Sequence, residues 1–397
     1  MNISSGKKRI PLFELAVALV TSFSTCTKKR SIADAYRHFI DLTSKKISRS
    51  SFWERLANKK LSEFLHMAVL NYSFNMQQKA LSTRSWLSTF TDVFIYDASP
   101  IRLPDVLAKL FPGNRTNHSP ACIKLSALYQ LSTRAIRWLK VAPQKKHDSK
   151  ILPDLQQLKG ALFLFDLGYF SHNFLHDLCL AGVWFVCRLK ENSKPVITSV
   201  VTGVSKKFIG CQLDNSVSLR GAIVEIWADL ALKGKGFVNV RLIGFRMPHT
   251  KEYRWYASNL PQARVLAQWI YPIYRLRWQI ELFFKSIKST LNADQVTSGN
   301  ENIALSFVYS SILASLIANT LLLEEVIALS HIQLKSITAQ RIMKVFSLVA
   351  YTLAQCLVKK SLPNSYLKCK LESILFLLEC PNSKHRPTSL EQIVMLS

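Results

Sequence analysis

The densest group of reactive side chains lies between Tyr274 and Lys288, in the order Tyr-Arg-Leu-Arg-Trp-Gln-Ile-Glu-Leu-Phe-Phe-Lys-Ser-Ile-Lys. Read as one helix, this stretch gathers Tyr274, Arg277, Glu281, Lys285 and Lys288 into an arc of about 80°, with Ile273, Leu276, Ile280, Phe283, Phe284 and Ile287 on the opposite side. One carboxylate therefore stands among cations on a polar face. Taken alone, the pattern is also that of a solvated helix with Arg277–Glu281 and Glu281–Lys285 pairs worth about 0.3 kcal/mol each.

Two further carboxylates change its weight. The apolar run Val93 to Tyr96 reads as a buried strand ending on Asp97, with Ser99-Pro100 as a breaker, and Leu162 to Phe165 reads as a second ending on Asp166. Asp92 is the alternative to Asp97, but it precedes its strand. Two strand-end aspartates and a helix glutamate supply the hard oxygen ligands that suit Mg²⁺. Two such ions about 3.5–4 Å apart activate an attacking water or hydroxyl and stabilise the leaving oxygen of an in-line phosphoryl displacement. Arg277, Lys285 and Lys288 would then hold phosphates.

These residues resemble a known family, the bacterial insertion-sequence transposases of the DDE type, specifically the insertion-sequence-four group. Tyr274, Arg277, Glu281 and Lys288 match its helix signature Y-x2-R-x3-E-x6-K; Asp166-Leu-Gly-Tyr-Phe170 resembles its second acidic motif and Tyr96-Asp97-Ala-Ser99 its first. The first match departs at Ala98, where the family more often has Gly or Ser. The resemblance covers roughly residues 40 to 330. It implies a ribonuclease H-like core interrupted by a β-rich insertion, and Asp97, Asp166 and Glu281 as a catalytic triad holding two Mg²⁺, with Mn²⁺ able to substitute. Tyr274, Arg277 and Lys288 would contact phosphates near the transposon end, and the protein would work as a homodimer on terminal inverted repeats and target DNA. Some members flip a base onto an aromatic of the insertion; Trp255 or Tyr253 would serve here, although a plain sheet-core aromatic is the commoner reading of either.

The elements that must position these groups are legible in outline, and no internal repeat or low-complexity tract interrupts them. Residues 1–90 read as helices (Pro11–Ser22, Ser31–Leu42, Ser50–Ala57, Leu61–Phe74) with fifteen Lys/Arg against five Asp/Glu, and Ser31 to Leu56 reads as two helices across the basic turn Thr43 to Lys46, consistent with a DNA-reading helix pair. Residues 91–190 read as the first part of an α/β core: strands at Val93–Tyr96, Ile123–Leu131, Ala135–Val141, Leu162–Phe165 and Val183–Leu189, with helices at Ile151–Leu158 and His172–Leu180. Residues 191–257 read as an inserted antiparallel sheet, 258–300 as the second part of the core with the signature helix, and 301–397 as a helical C-terminal region in which the resemblance suggests a dimer contact. Lys124, Arg188 and Lys190, near strand ends, are candidate groove-lining cations. Arg115, His118 and Lys124 form a basic stretch after Asp97 that would lie near donor DNA, and His118, His172 and His176 lack metal-ligand spacing with cysteine.

Bulk properties agree with this reading. Fifty-two Lys+Arg against 25 Asp+Glu in 397 residues give a net charge of +27, while 49% hydrophobic content excludes a disordered basic tail. That balance points to a polyanionic partner: nucleic acid first, with an anionic membrane as the more distant alternative. Eight cysteines without a C-x-x-C pair fit neither a zinc ribbon nor a disulfide framework, and read as reduced thiols in the cytoplasm. Ile10 to Cys26 follows Lys7, Lys8 and Arg9 like a secretory leader, but Glu14 interrupts it and no small-residue cleavage site follows. Ile303 to Leu323 carries no charge over 21 residues, yet its stripe of Ser306, Ser310, Ser315 and Asn319 reads as a closely packed core helix with no role in a membrane. A ribonuclease H-like nuclease, or an inactive DNA-binding element copy, shares every one of these features.

Overall fold

A computed structural model describes residues 2–3, 10–22, 31–76, 89–114, 120–133, 135–146, 151–234, 236–250, 252–291, 293, 296–328 and 339–359. A two-residue ladder of β1 (Asn2–Ile3) and β2 (Ile10–Pro11) precedes four helices, α1 (Leu12–Ser22), α2 (Ile32–Thr43), α3 (Arg49–Leu56) and α4 (Lys59–Met76). Strong local signals set α2 and α3. Ser31 and Asp34 form a reciprocal capping box, Ser44 closes α2 in the left-handed conformation, and Ser48 caps α3. The pair packs through Tyr36, Phe39 and Phe52, whose ring centroids lie 5.4 and 5.5 Å apart, and Tyr36 donates its hydroxyl to the Ile47 carbonyl at 2.7 Å.

The remaining strands form one sheet. β3 (Val93–Arg102), β4 (Cys122–Gln130) and β5 (Ala135–Pro143) form an antiparallel meander; β6 (Leu162–Phe165) and, after α5 (His172–Leu180), β7 (Trp184–Arg188) then run parallel to β3. The order β5-β4-β3-β6-β7 is a ribonuclease H-like core. β6 is completely buried along Leu-Phe-Leu-Phe, as expected of a parallel strand covered on both faces. Ile151–Leu158, expected as a helix, is helical only as a 3₁₀ turn over Leu155–Leu158.

The strands β8 (Val196–Thr202), β9 (Ile223–Ala231), β10 (Phe237–Arg246) and β11 (Tyr253–Ser258) lie in the stretch expected as an insertion, but they do not make a separate sheet. β11 pairs antiparallel with β7, matching Tyr256 to Arg188, Ala257 to Cys187 and Ser258 to Val186, so the core sheet continues to nine strands. Between β8 and β9 the chain makes a 3₁₀ turn over Lys206–Phe208 and then runs as loop.

Helices cover both faces. On one, α5 presses Phe174, Leu175 and Leu178 into a core with Phe163, Phe165, Phe185 and Cys187. On the other lie α6 (Ala267–Arg275), α7 (Trp278–Lys285), α8 (Glu301–Ala328) and α9 (Ala339–Lys359), packed with α1 and α4. Glu301–Thr320 and Ile342–Lys359 are long and apolar enough to cross a bilayer, but the first lies inside this core, with Ser306, Ser310, Ser311 and Ser315 fully buried against neighbouring helices.

Candidate active site

The sheet register brings the two aspartates together. In the parallel pair β3–β6, Tyr96 stands opposite Phe165, so Asp97 and Asp166 are the next residues on adjacent chains, and alternation turns both to the face covered by α6 and α7. Asp97 is not at a strand end, however. β3 runs on through Ser99 and Pro100 to Arg102, paired with β4 along its length. Past Tyr96 it has lost β6 as a neighbour, and on that open side the missing proline N–H leaves no ladder bond unmade.

The signature stretch is not one continuous helix. α6 ends at Arg275; the amides of Leu276 and Arg277 donate to Ile273 and Tyr274 in a tight i,i+3 turn; α7 starts at Trp278 and passes into a π-turn over Ser286–Thr290 that contains Lys288. Ile280, Phe283 and Phe284 seat α7 against β3 and the Tyr129 ring, which presents Glu281 toward Asp97. The turn also rotates Tyr274 inward. It is buried, its ring lies 5.1 Å from that of Tyr256, and its hydroxyl donates to Asp166 Oδ1 at 3.4 Å.

Arg277 stands at the centre of the group. Its side chain is 11% exposed, with Nη1 3.7 Å from Asp97 Oδ2, Nη2 bonded to Glu281 Oε1, and the guanidinium 5.6 Å from the Tyr274 ring centroid. Its Nε is buried without a partner among the described residues. Burial raises the Asp97 carboxyl to about 6; the Ala98 amide and Arg277 oppose the rise, while Asp166 and Glu281 add to it. Burial likewise raises the Tyr274 hydroxyl, with Arg277 opposing and Asp166 adding.

The Asp97 shift has a consequence in the metal-free protein. Its folded carboxyl holds a proton that the unfolded chain, titrating near 3.8, releases, so stability falls as pH rises from about 4 to about 6 and stays reduced above that. Asp97→Asn should therefore raise stability by up to about 3 kcal/mol at pH 8 and by almost nothing at pH 4. Denaturant titrations at the two pH values check this; equal effects at both would mean a solvated carboxylate.

The other expected residues separate. Lys285 is exposed one turn beyond Glu281, and Lys288 joins Arg102 and Lys124 around the buried Cys122 thiol, which burial raises and these three cations lower. Arg102 was not legible as a site residue because β3 was expected to stop before it. Arg188, whose Nε is buried and unpartnered among the described residues, flanks the Tyr256 hydroxyl with Arg254; alternation along β11 was the available signal for Tyr256. The same alternation turns Trp255 and Tyr253 to the opposite face, away from the acids. The Trp255 ring lies over Gly244, where a Cβ would meet it at 3.1 Å, and the Tyr253 hydroxyl donates to the Gly221 carbonyl at 2.5 Å. Arg115 and His118 lie outside the described residues.

The donor set fits a hard divalent cation in kind: three carboxylates, one strongly desolvated, facing a cation. Among the described residues, no three His, Cys, Asp or Glu side chains are close enough to share an ion as they stand, and the Arg277 guanidinium takes up the space and charge between Asp97 and Glu281.

Two adjacent sheet aspartates and a facing helix glutamate are the acidic residues expected of a DDE-class nucleic-acid enzyme, and comparison of the sequence with known proteins gives the family. The transposase DDE domain family matches residues 88–317, more than half of the chain, and the chain belongs to that family. It is 24% identical over 318 residues to the transposase for insertion sequence element IS1151 of Clostridium perfringens, covering 70% of this chain and 67% of the relative. It is 28% identical over 272 residues to the transposase for insertion sequence element IS231B of Bacillus thuringiensis subsp. berliner, covering 58% of this chain and 57% of the relative. A piggyBac transposase synaptic complex with hairpin DNA, solved by cryo-electron microscopy, overlaps 97% of this chain and 80% of its own at 11% identity and a TM-score of 0.46.

Proposed function

We propose that this protein is a DNA transposase that cuts the strands at the ends of an insertion sequence and joins the freed ends to new DNA. The observation that carries the proposal is that Asp97 and Asp166 each directly follow the last β3–β6 pair, Tyr96–Phe165, with Glu281 and the cation of Arg277 opposite them. Asp97, Asp166 and Glu281 would hold the divalent metal, Mg²⁺ in the cell with Mn²⁺ as a substitute. When bound, it supplies Lewis-acid stabilisation of charge on the phosphate oxygens and lowers the pKa of the attacking water.

Hydrolysis breaks the bond between phosphorus and the 3′ oxygen, leaving a 3′-hydroxyl and a 5′-phosphate; that hydroxyl then attacks a second phosphodiester and displaces its 3′ oxygen in turn. Burial around Asp97 and Tyr274 strengthens the charge interactions there, while Glu281 stays partly solvated. Arg277 offsets the charge of Asp97 and Glu281, and with metal bound to the acids it would be free to meet a DNA phosphate. Lys285 and Lys288, the latter with Arg102 and Lys124, carry the flanking phosphates, and Tyr274 holds Asp166 in orientation.

The helices of 1–90, with a surplus of ten positive charges, would choose the DNA, and the C-terminal helices would join two copies on paired ends at the bacterial nucleoid. The purified protein, incubated with a duplex carrying the element's terminal inverted repeat, should nick it at the repeat boundary in Mg²⁺ and leave it intact in EDTA. Cleavage that persists in EDTA, or that ignores the repeat, would refute the proposal.

A further inference from the structure

Arg241, in the middle of β10, is a fully buried cation far in sequence from the acids. Its Nε donates to Glu225 Oε1 of β9 at 2.7 Å, and its Nη1 donates to two carbonyls of the segment that follows β11, those of Leu260 at 3.1 Å and Val265 at 2.7 Å. Its Nη2 has no partner among the described residues. Burying an arginine this completely is costly, and β9 and β10 would be paired by their ladder without it. What Arg241 adds is a hold on residues 260–265.

That segment launches α6. Leu266 caps the helix without any side-chain hydrogen bond, so no capping side chain fixes where α6 begins. Backbone turns at Pro261 and Leu266 shape the segment, and tertiary ties anchor it. Upstream, the Asn259 side chain accepts from the Phe185 amide and donates to the Val183 carbonyl, anchoring the chain to β7; downstream, Arg241 grips the last carbonyl before the cap. Eight residues after Leu266 comes Tyr274, which touches Asp166, and then Arg277 and Glu281.

We infer that Arg241 is a positioning residue: the insertion uses it to set the start of α6, and through α6 the placement of Tyr274, Arg277 and Glu281 over the two aspartates. The part concerning cleavage rests on the transposase reading; the part concerning α6 does not. The test replaces the ion pair by apolar side chains, in Arg241→Met with Glu225→Met, because exchanging a buried pair for apolar groups of similar volume is often neutral for stability. The double variant should keep the wild-type Tm and bind end DNA as wild type does. Amide hydrogen exchange over residues 269–280 should accelerate, while that of β9 and β10 stays unchanged, and the cleavage rate should fall at least about tenfold at unchanged KM. Glu225→Gln, which leaves both carbonyl contacts in place, should keep the slow exchange of α6.

A folded double variant with wild-type exchange across 269–280 would overturn the inference. If the double variant does not fold, Arg241→Lys serves, since one ammonium cannot span Glu225 and both carbonyls; wild-type exchange in that variant would overturn the inference equally. A wild-type protein that fails to cut end DNA would sink the transposase reading, while the exchange comparison would still decide the clamp.

Discussion

Asp166→Ala should abolish strand cleavage while end binding survives, and Glu281→Ala should do the same. Neither side chain helps to fill the apolar core, so the folded chain and its basic surface persist in both variants. What is lost is a ligand, and with it the stabilisation of charge on the phosphate oxygens, worth several kcal/mol or roughly a thousandfold in rate. The measurement pairs a gel-shift titration on end DNA with a single-turnover cleavage assay in Mg²⁺. A Kd within about twofold of wild type with no product is the expected result, because phosphate contacts by Lys and Arg carry the affinity. Nicking by Asp166→Ala at a rate near wild type would remove this residue from the mechanism.

Arg277→Met should have an effect of comparable size, but on the fold as well as on the reaction. Without the guanidinium, Asp97 and Glu281 face each other uncompensated in a partly buried site. Breaking a buried pair from one side costs about 3–5 kcal/mol; Glu281 is partly solvated, so about 2–3 kcal/mol is expected at pH 8 in the absence of metal. The loss should shrink toward pH 5, since Asp97, already raised to about 6 and raised further without Arg277, is then protonated and needs no counter-charge. Mg²⁺ should recover more stability in the variant than in wild type, because it supplies the missing positive charge. Thermal unfolding at pH 5 and pH 8, with and without Mg²⁺, reads all three; a metal-free Tm at pH 8 equal to wild type would show that Arg277 does not neutralise the acids.

Both predictions depend on features that differed in legibility. The run Leu162 to Phe165 followed by Asp166 was readable because a strand covered on both faces leaves an uninterrupted apolar signal, and the carboxylate marks where it emerges. Asp97 was readable as a position but not in its setting. Ser99-Pro100 is a local breaker, whereas its tolerance in β3 depends on where β6 stops, which only the register reveals. The face of α7 followed from periodicity, since Ile280, Phe283 and Phe284 are buried as expected; the turn at Leu276 and Arg277 did not, because a fixed angle per residue assumes an unbroken helix. Tyr274, expected on an open polar face beside Arg277, instead points inward between Tyr256 and Asp166.

The insertion shows the same division. β9, β10 and β11 were visible as β-rich segments, while the β7–β11 pairing that makes them an extension of the core is non-local and left no mark in the sequence. Arg241 was one charged residue among many until its burial set it apart, and Trp255 was set apart from the acids by the parity of its strand.

The central claim is that Asp97, Asp166 and Glu281 hold divalent metal together. Mn²⁺ titration followed by electron paramagnetic resonance, on wild type and on Asp166→Asn, each bound to end DNA, tests it without relying on turnover. Wild type should bind about two Mn²⁺ per chain, and the variant should lose at least one of them. Equal numbers of ions bound with equal affinity by both proteins would contradict it.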